Sequence, residues 1–324
     1  MTYLEDEREI TSCLEHLLDA WAGKTKLSDR YIADECWIQF SQFGLCFVKE
    51  PLNSWFREVH PETRIHNHSI LIQNNCAYEY ASVTGIVKKD DQHLSFGGSF
   101  VNELVKSSSG WQLKKVRFDL QCEDSVRDTW LPQTGALEKY PGFGNRELIA
   151  GWKGVDDRIG HNMTADANTG ESVISAEYDL PWYIVCEPEN LKTDEEQLKD
   201  MLYRYCAAYD FASLLLDKEL IAQDAIYRTD HEELHGARNI IGFLKMKRKT
   251  RSRNHHSVEI EGIDVNGDHA IVKAVRIAPD LCSAETVNDP YEQWKAEQLT
   301  FTANKKNNHW KFSEILITGG KEKI

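Results

Sequence analysis

The chain repeats itself, and this limits its fold more than any other property of its sequence. "EREITSCLEHLLDAWAGK" and "EEQLKDMLYRYCAAYDFA" align at an offset of 188, placing Ile10, Leu14, Leu17 and Trp21 over Leu198, Leu202, Tyr205 and Tyr209. Both sets have the 4, 3, 4 spacing of a single helical face. At the same offset His68-Ser69-Ile70 falls on His256-Ser257-Val258; "YIADECWIQF" falls on "LIAQDAIYRT" at 189, and Trp111 on Trp310 at 199. Four blocks in one order at nearly constant spacing indicate a tandem duplication. The repeat predicts domains at 1–124 and 193–324 joined by a bridge at 125–192, with the second copy's 11 extra residues in the loop-like "APDLCSAETVNDPYEQ".

Each copy reads as helices first and strands afterwards. In the second copy the pattern predicts helices over 195–216, 218–223 and 237–249. A hairpin then turns at Asn266-Gly267-Asp268, and a second hairpin, "KAEQLTFTANK" with "NHWKFSEILITG", turns around "KKNN". Helices followed by antiparallel strands give an α+β layer fold with the sheet curled over the helices. The bridge holds Trp130, Trp152 and Trp182, too many aromatics for a free linker, so it is expected to be ordered and packed on the domains, with strand character over 172–188.

Charge and composition remove several function classes. A net charge of −14 disfavours nucleic acid as a partner, because phosphate binding relies on clustered Lys and Arg. The basic run "KMKRKTRSR" (245–253) is expected to be a solvated helix end. No apolar run approaches the roughly 18 residues of a spanning helix, and the acidic "MTYLEDEREITS" does not suit a secretory leader, so no membrane is expected as a partner and a cytoplasmic location is. The eight cysteines form no CxxC pair and are expected as buried free thiols rather than a disulfide framework or zinc knuckle.

The helical "RYCAAYDFASLLLDKELIAQDAIYR", followed some 30 residues later by "HHSVEIEGIDVNGDHAIVKA" and a terminal W-K-F strand, resembles the SnoaL-like branch of the nuclear transport factor 2-like superfamily. The resemblance covers 193–320 well and 5–122 more weakly. It implies two cone-shaped domains, each of three helices in a strongly bent mixed sheet around one pocket. It also implies a small-molecule ligand or substrate. The family includes dehydratases, isomerases, cyclases, epoxide hydrolases and non-enzymatic binders, so the fold does not by itself carry a function.

In dehydratases of that family a Tyr and an Asp on the first helix face a His at the start of the strand after the third helix. Carried over, these are Tyr205, Asp210 and His256. Tyr209 is the rival phenol, His255 the rival imidazole, and Tyr227 a further pocket candidate. Strand neighbours point to opposite faces, so only one of His255 and His256 enters the cone, and counting back from the Gly267-Asp268 turn favours His256. These residue types suit cofactor-free elimination of water from a β-hydroxy carbonyl compound. An imidazole removes the α-proton, a carboxylate holds its tautomer, and a phenol polarises the carbonyl. The expected function is thus a lyase or isomerase in the second cone, acting on a small alicyclic or polyketide-like substrate. A non-catalytic binder of an apolar ligand and a structural scaffold are the alternatives.

The first copy has Leu17 and Ala22 where the second has Tyr205 and Asp210, so it is expected to be degenerate although His68 remains. His66-Asn67-His68 has the i, i+2 spacing of a metal pair on one strand face, but sequence places no carboxylate to complete it, and no metal is expected. Family cones pair through the outer faces of their sheets. The two domains are therefore expected to form an intramolecular pseudo-dimer, leaving the molecule mainly monomeric.

Overall fold

The first amphipathic face becomes α1 (Tyr3–Trp21), which buries Ile10, Cys13, Leu14, Leu17 and Trp21. The structure is a computed structural model describing residues 3–40, 44–47, 60–89, 92–123, 174, 176–211, 219–249, 255–279 and 294–319. The chain divides into two compact units, Met1–Asn190 and Leu191–Ile324.

In the first unit α1 packs on a six-stranded sheet of β1 (Ile32–Phe40), β2 (Gly44–Cys46), β3 (Glu62–Gln73), β4 (Cys76–Lys89), β5 (Gln92–Ser107) and β6 (Gly110–Glu123). The strand order is β2-β1-β6-β5-β4-β3, antiparallel except for the parallel pairing of β1 with β6. Trp21, at the helix's C-terminal end, is ringed by Phe40, Phe96, Phe100 and Phe118 at centroid distances of 5.8, 5.9, 6.5 and 5.3 Å. That end of the first cone is therefore filled with aromatic carbon.

The described end of the bridge belongs to this unit. The expected strand character over 172–188 is replaced by two short helical turns, α2 (Ala176–Asp179) and α3 (Pro181–Ile184). Pro181 supplies the physical reason, since its fixed φ suits the first position of a helical turn. Trp182 packs against Tyr80 with the rings tilted, centroids 5.4 Å apart, and Asp179 pairs with Lys115 and Arg117. Asn190 Oδ1 accepts from the Ile72 amide at 3.1 Å and its Nδ2 donates to the Ile70 carbonyl at 2.7 Å, so this segment satisfies part of the exposed edge of β3. Residues 125–173 lie outside the described residues.

The second unit repeats the plan. After α4 (Asp194–Asp210) come β7 (Ile221–Arg228), β8 (Glu233–His235), α5 (Ala237–Lys249), β9 (Ser257–Asn266), β10 (His269–Ile277), β11 (Lys295–Lys306) and β12 (His309–Thr318). The order is β8-β7-β12-β11-β10-β9, again with one parallel pair, β7 with β12. Each unit is thus an α+β cone domain with the same strand order. Thr193 caps α4 through a reciprocal capping box with Glu196. The β11–β12 turn places Asn307 and Asn308 at φ of 51° and 65°, as a two-residue hairpin turn of the right hand requires. The short helix expected over 218–223 is instead the start of β7, with only 219–220 helical; the i, i+4 spacing of Ile221 and Ala225 imitates a helix, and pairing with β12 overrides it.

A shared clamp anchors both units. Asp6 Oδ1 accepts from Trp111 Nε1 at 2.7 Å and from Lys106 Nζ at 2.6 Å; Asp194 Oδ1 accepts from Trp310 Nε1 at 2.9 Å and from Lys305 Nζ at 2.7 Å. In each the lysine also lies over the indole, at 5.4 and 5.6 Å. The first hairpin turns correspond as well: the Lys106 amide donates to the Asn75 carbonyl and the Lys305 amide to the Asp268 carbonyl.

These landmarks correct two sequence expectations. The offset between copies is 188 at the clamp aspartates, 193 at the hairpin turns and 199 at the clamp lysines and tryptophans. The extra residues are therefore divided, part before the β9–β10 turn and part after it. Consequently His68, five residues before the end of β3 at Gln73, does not correspond to His256, ten residues before the end of β9 at Asn266. Alternating strands look alike when slipped, which is why the match deceives.

Candidate functional site: a buried aspartate–histidine pair in the second unit

The second unit's site is built where α4 ends. Leu198, Met201, Leu202, Tyr205, Cys206 and Tyr209 bury the helix, and Asp210 closes it with a carboxylate whose side chain is 0% exposed. A helix C-terminus carries the negative end of the dipole, so this is an unfavourable place for a buried anion. The compensation comes from the segment entering β9. Asp210 Oδ1 lies 2.5 Å from His256 Nδ1, and Oδ2 accepts from the His256 backbone amide at 2.9 Å.

Burial by itself would raise the Asp210 carboxyl; the charge and hydrogen bonds of His256, helped by His255, outweigh it and hold the group below the usual aspartate value. With Nδ1–H directed at the carboxylate, the neutral ring carries its lone pair on Nε2. Asp210 therefore selects the tautomer and stabilises the cation once Nε2 takes a proton.

The two histidines separate as strand alternation requires. His256 meets Asp210, while His255 is 2% exposed and its Nε2 lies 2.6 Å from Ser257 Oγ. The tyrosines separate too. Tyr209 meets the His256 ring at a centroid distance of 4.4 Å, edge to face, whereas the ring contacts described for Tyr205, one turn earlier, are with Phe301 and Phe312 at 5.4 and 6.1 Å. Tyr227, on β7, packs against Phe243 at 5.7 Å. The structure thus brings Asp210, His256 and Tyr209 together and sets Tyr205 among the core aromatics.

One pair was missed by sequence reasoning. Arg276 is 6% exposed and donates from Nη1 to Glu297 at 3.1 Å and from Nη2 to the His255 carbonyl at 3.5 Å. It continues the inward series Ala270, Val272, Ala274 on β10, so a lone cation at an inward position was the available signal. Arg276 and Asp210 both act on the buried Cys206 thiol, which burial drives well above its usual value.

The His66/His68 pair does not share a face. A bulge after Ile65 turns His66 Nε2 to Thr84 Oγ1 at 2.8 Å, while His68 Nε2 meets Glu79 at 2.7 Å. Among the described residues, free cysteines are found at 13, 36, 76, 186 and 206, of which 13, 36 and 206 are buried and 186 is exposed. Residues 245–249 of the basic run form the end of α5, and 250–253 lie outside the described residues. No helix among the described residues is long and apolar enough to cross a membrane.

Residues 192–315 match the family described as SnoaL-like domain. Among solved structures, the Kfla4162 protein from Kribbella flavida is 20% identical, covering 38% of this chain and 96% of its own, with a TM-score of 0.34. An NTF-2 like protein of unknown function from Silicibacter pomeroyi DSS-3 is 12% identical over 39% of this chain and 98% of its own, with a TM-score of 0.30. No curated protein matches the chain. The match to the SnoaL-like domain family thus spans nearly all of the second unit, and the first unit repeats that unit's strand order and helix clamp.

Proposed function

We propose that the second unit is a cofactor-free acid–base lyase or isomerase of the dehydratase kind, acting on a small alicyclic or polyketide-like substrate. The observation that carries this reading is the two-point attachment of His256 to a fully buried Asp210 at a helix C-terminus. A buried carboxylate placed there is costly for the fold alone, and a carboxylate on Nδ1 is the arrangement that makes a neutral imidazole a competent base. In an elimination, His256 Nε2 takes the α-proton, the C–H electron pair forms the new double bond, the C–O bond breaks, and the imidazolium returns the proton to the departing hydroxyl. The tyrosine that assists the carbonyl or the leaving group is Tyr209, by its contact with His256; Tyr205 supports the helix face.

The test is a screen of β-hydroxy ketones and β-hydroxy thioesters for loss of water, followed by His256→Ala on any substrate found. General-base catalysis is worth roughly 100- to 10,000-fold, and a loss of that size is expected. Turnover that survives His256→Ala and disappears with His68→Ala would place the chemistry in the first unit instead.

A further inference from the structure

The first unit buries a carboxylate that its fold does not need. Glu79, on β4, is 0% exposed, and it sits on the concave face between Ala77 and Ala81. Its Oε1 lies 2.7 Å from His68 Nε2 and its Oε2 accepts from Asn102 Nδ2 at 2.6 Å. The charge is felt on the helix above: burial first, and then Glu79, push the Cys13 thiol up to about 12. Asn102 must turn its amide nitrogen to the carboxylate, so Oδ1 points away from it; that oxygen is buried and accepts no hydrogen bond. His68 is the most open of the three, with its side chain 18% exposed.

The duplicate shows what the scaffold requires at these positions. Aligned from the equivalent hairpin turns and clamp lysines, Glu79 corresponds to Val272 and Asn102 to Phe301, which pair with each other as Glu79 pairs with Asn102. Ala81 corresponds to Ala274, so His68, opposite Ala81, corresponds to Ile260, opposite Ala274. One copy is apolar at all three positions, and the other carries a histidine, a carboxylate and an amide. A desolvated carboxylate is costly before its partners offset it, and a buried acceptor left without a hydrogen bond adds to that cost. The second copy avoids both costs with the same strands.

We propose that the first unit holds a second ligand site, in which His68, Glu79 and Asn102 receive a small planar molecule bearing a weakly acidic hydroxyl, a phenol or an enol. Oδ1 of Asn102 needs a donor. A hydroxyl supplies one, and His68, steadied by Glu79, is the base that shares its proton. Glu79 repels anions, which disfavours carboxylates and phosphates, and the polar trio is bordered in register by apolar side chains, Ile70 opposite Glu79 and Phe100 opposite Ala81. This site is distinct from the Asp210–His256 pair and stands whether or not that pair is catalytic.

The test uses the full chain carrying His256→Ala, titrated with 2-naphthol and, separately, with naphthalene, while the His68 ring signals are followed by NMR. One saturable equivalent of 2-naphthol that shifts His68 is expected, with naphthalene at least tenfold weaker. Glu79→Gln and Asn102→Leu, each checked for fold by circular dichroism, are expected to weaken 2-naphthol at least tenfold. Absence of saturable 2-naphthol binding, or equal binding of naphthalene, overturns the proposal without any substitution in the first unit. Unchanged binding in whichever of the two variants folds overturns it too.

Discussion

Asp210 is a buried carboxylate whose contribution to stability depends on pH. The folded-state value of Asp210 lies below the ordinary aspartate value near 3.8, so as pH falls the unfolded chain takes up that proton first. The stabilisation from Asp210 is therefore fully present above about pH 4–5 and drains away as pH drops through the lower, folded value. Asp210→Asn removes this dependence and leaves His256 without its anion, at a cost on the order of 2 kcal/mol at neutral pH. Urea unfolding followed by amide exchange of β9 is expected to show the variant weaker at pH 7, with the gap to the unsubstituted chain narrowing by pH 3. A gap that stays constant would mean that the carboxylate titrates alike in both states. The same substitution, on a substrate, is expected to lower turnover through the lost imidazolium partner. Tyr209→Phe is expected to lower turnover more than Tyr205→Phe, since Tyr209 is the ring against His256; steady-state rates of the two variants compare them directly.

At the scale of elements, what could be read in advance was what repeats with a short period. The helical faces at Ile10–Trp21 and Leu198–Tyr209 were legible because four buried positions recur every three or four residues. The site was legible only in part. Asp210 and His256 could be carried over by motif, but Glu79 could not, because its partner Asn102 is 23 residues away in sequence and meets it only through strand register. Register also decided which histidine matched which, and nothing in a three-residue block reports how far it lies from a turn.

Two substitutions test the elements themselves. Thr193→Ala removes one half of the α4 capping box and is expected to cost about 1 kcal/mol, read as faster amide exchange in the first turn of α4. Gly98→Ala puts a Cβ 2.5 Å from the Asp119 carbonyl oxygen and 2.5 Å from the Phe118 ring. Because a backbone oxygen cannot step aside as a side-chain end can, this change is expected to destabilise the first unit by roughly 1–3 kcal/mol, seen as a lower urea midpoint for β5 and β6 amides with α4 amides unmoved.

At the scale of the whole molecule, the duplication conserved the anchor and released the interior. Asp6 with Trp111 and Lys106, and Asp194 with Trp310 and Lys305, hold the start of each helix to a hairpin, β5–β6 in one unit and β11–β12 in the other. Above that anchor one copy is packed with Trp21 and four phenylalanines, and the other ends in Asp210 and His256. Two sheets of one order in a single chain also bear on assembly. A face that separate cones would use to pair with another chain can be used here by the other copy, and the net charge of −14 opposes further association. The pseudo-dimer expectation therefore has a mass as its signature: light scattering is expected to return the 37.3 kDa of one chain, unchanged over a hundredfold range of concentration. A mass that doubles as concentration rises would mean that at least one sheet is paired by a second molecule.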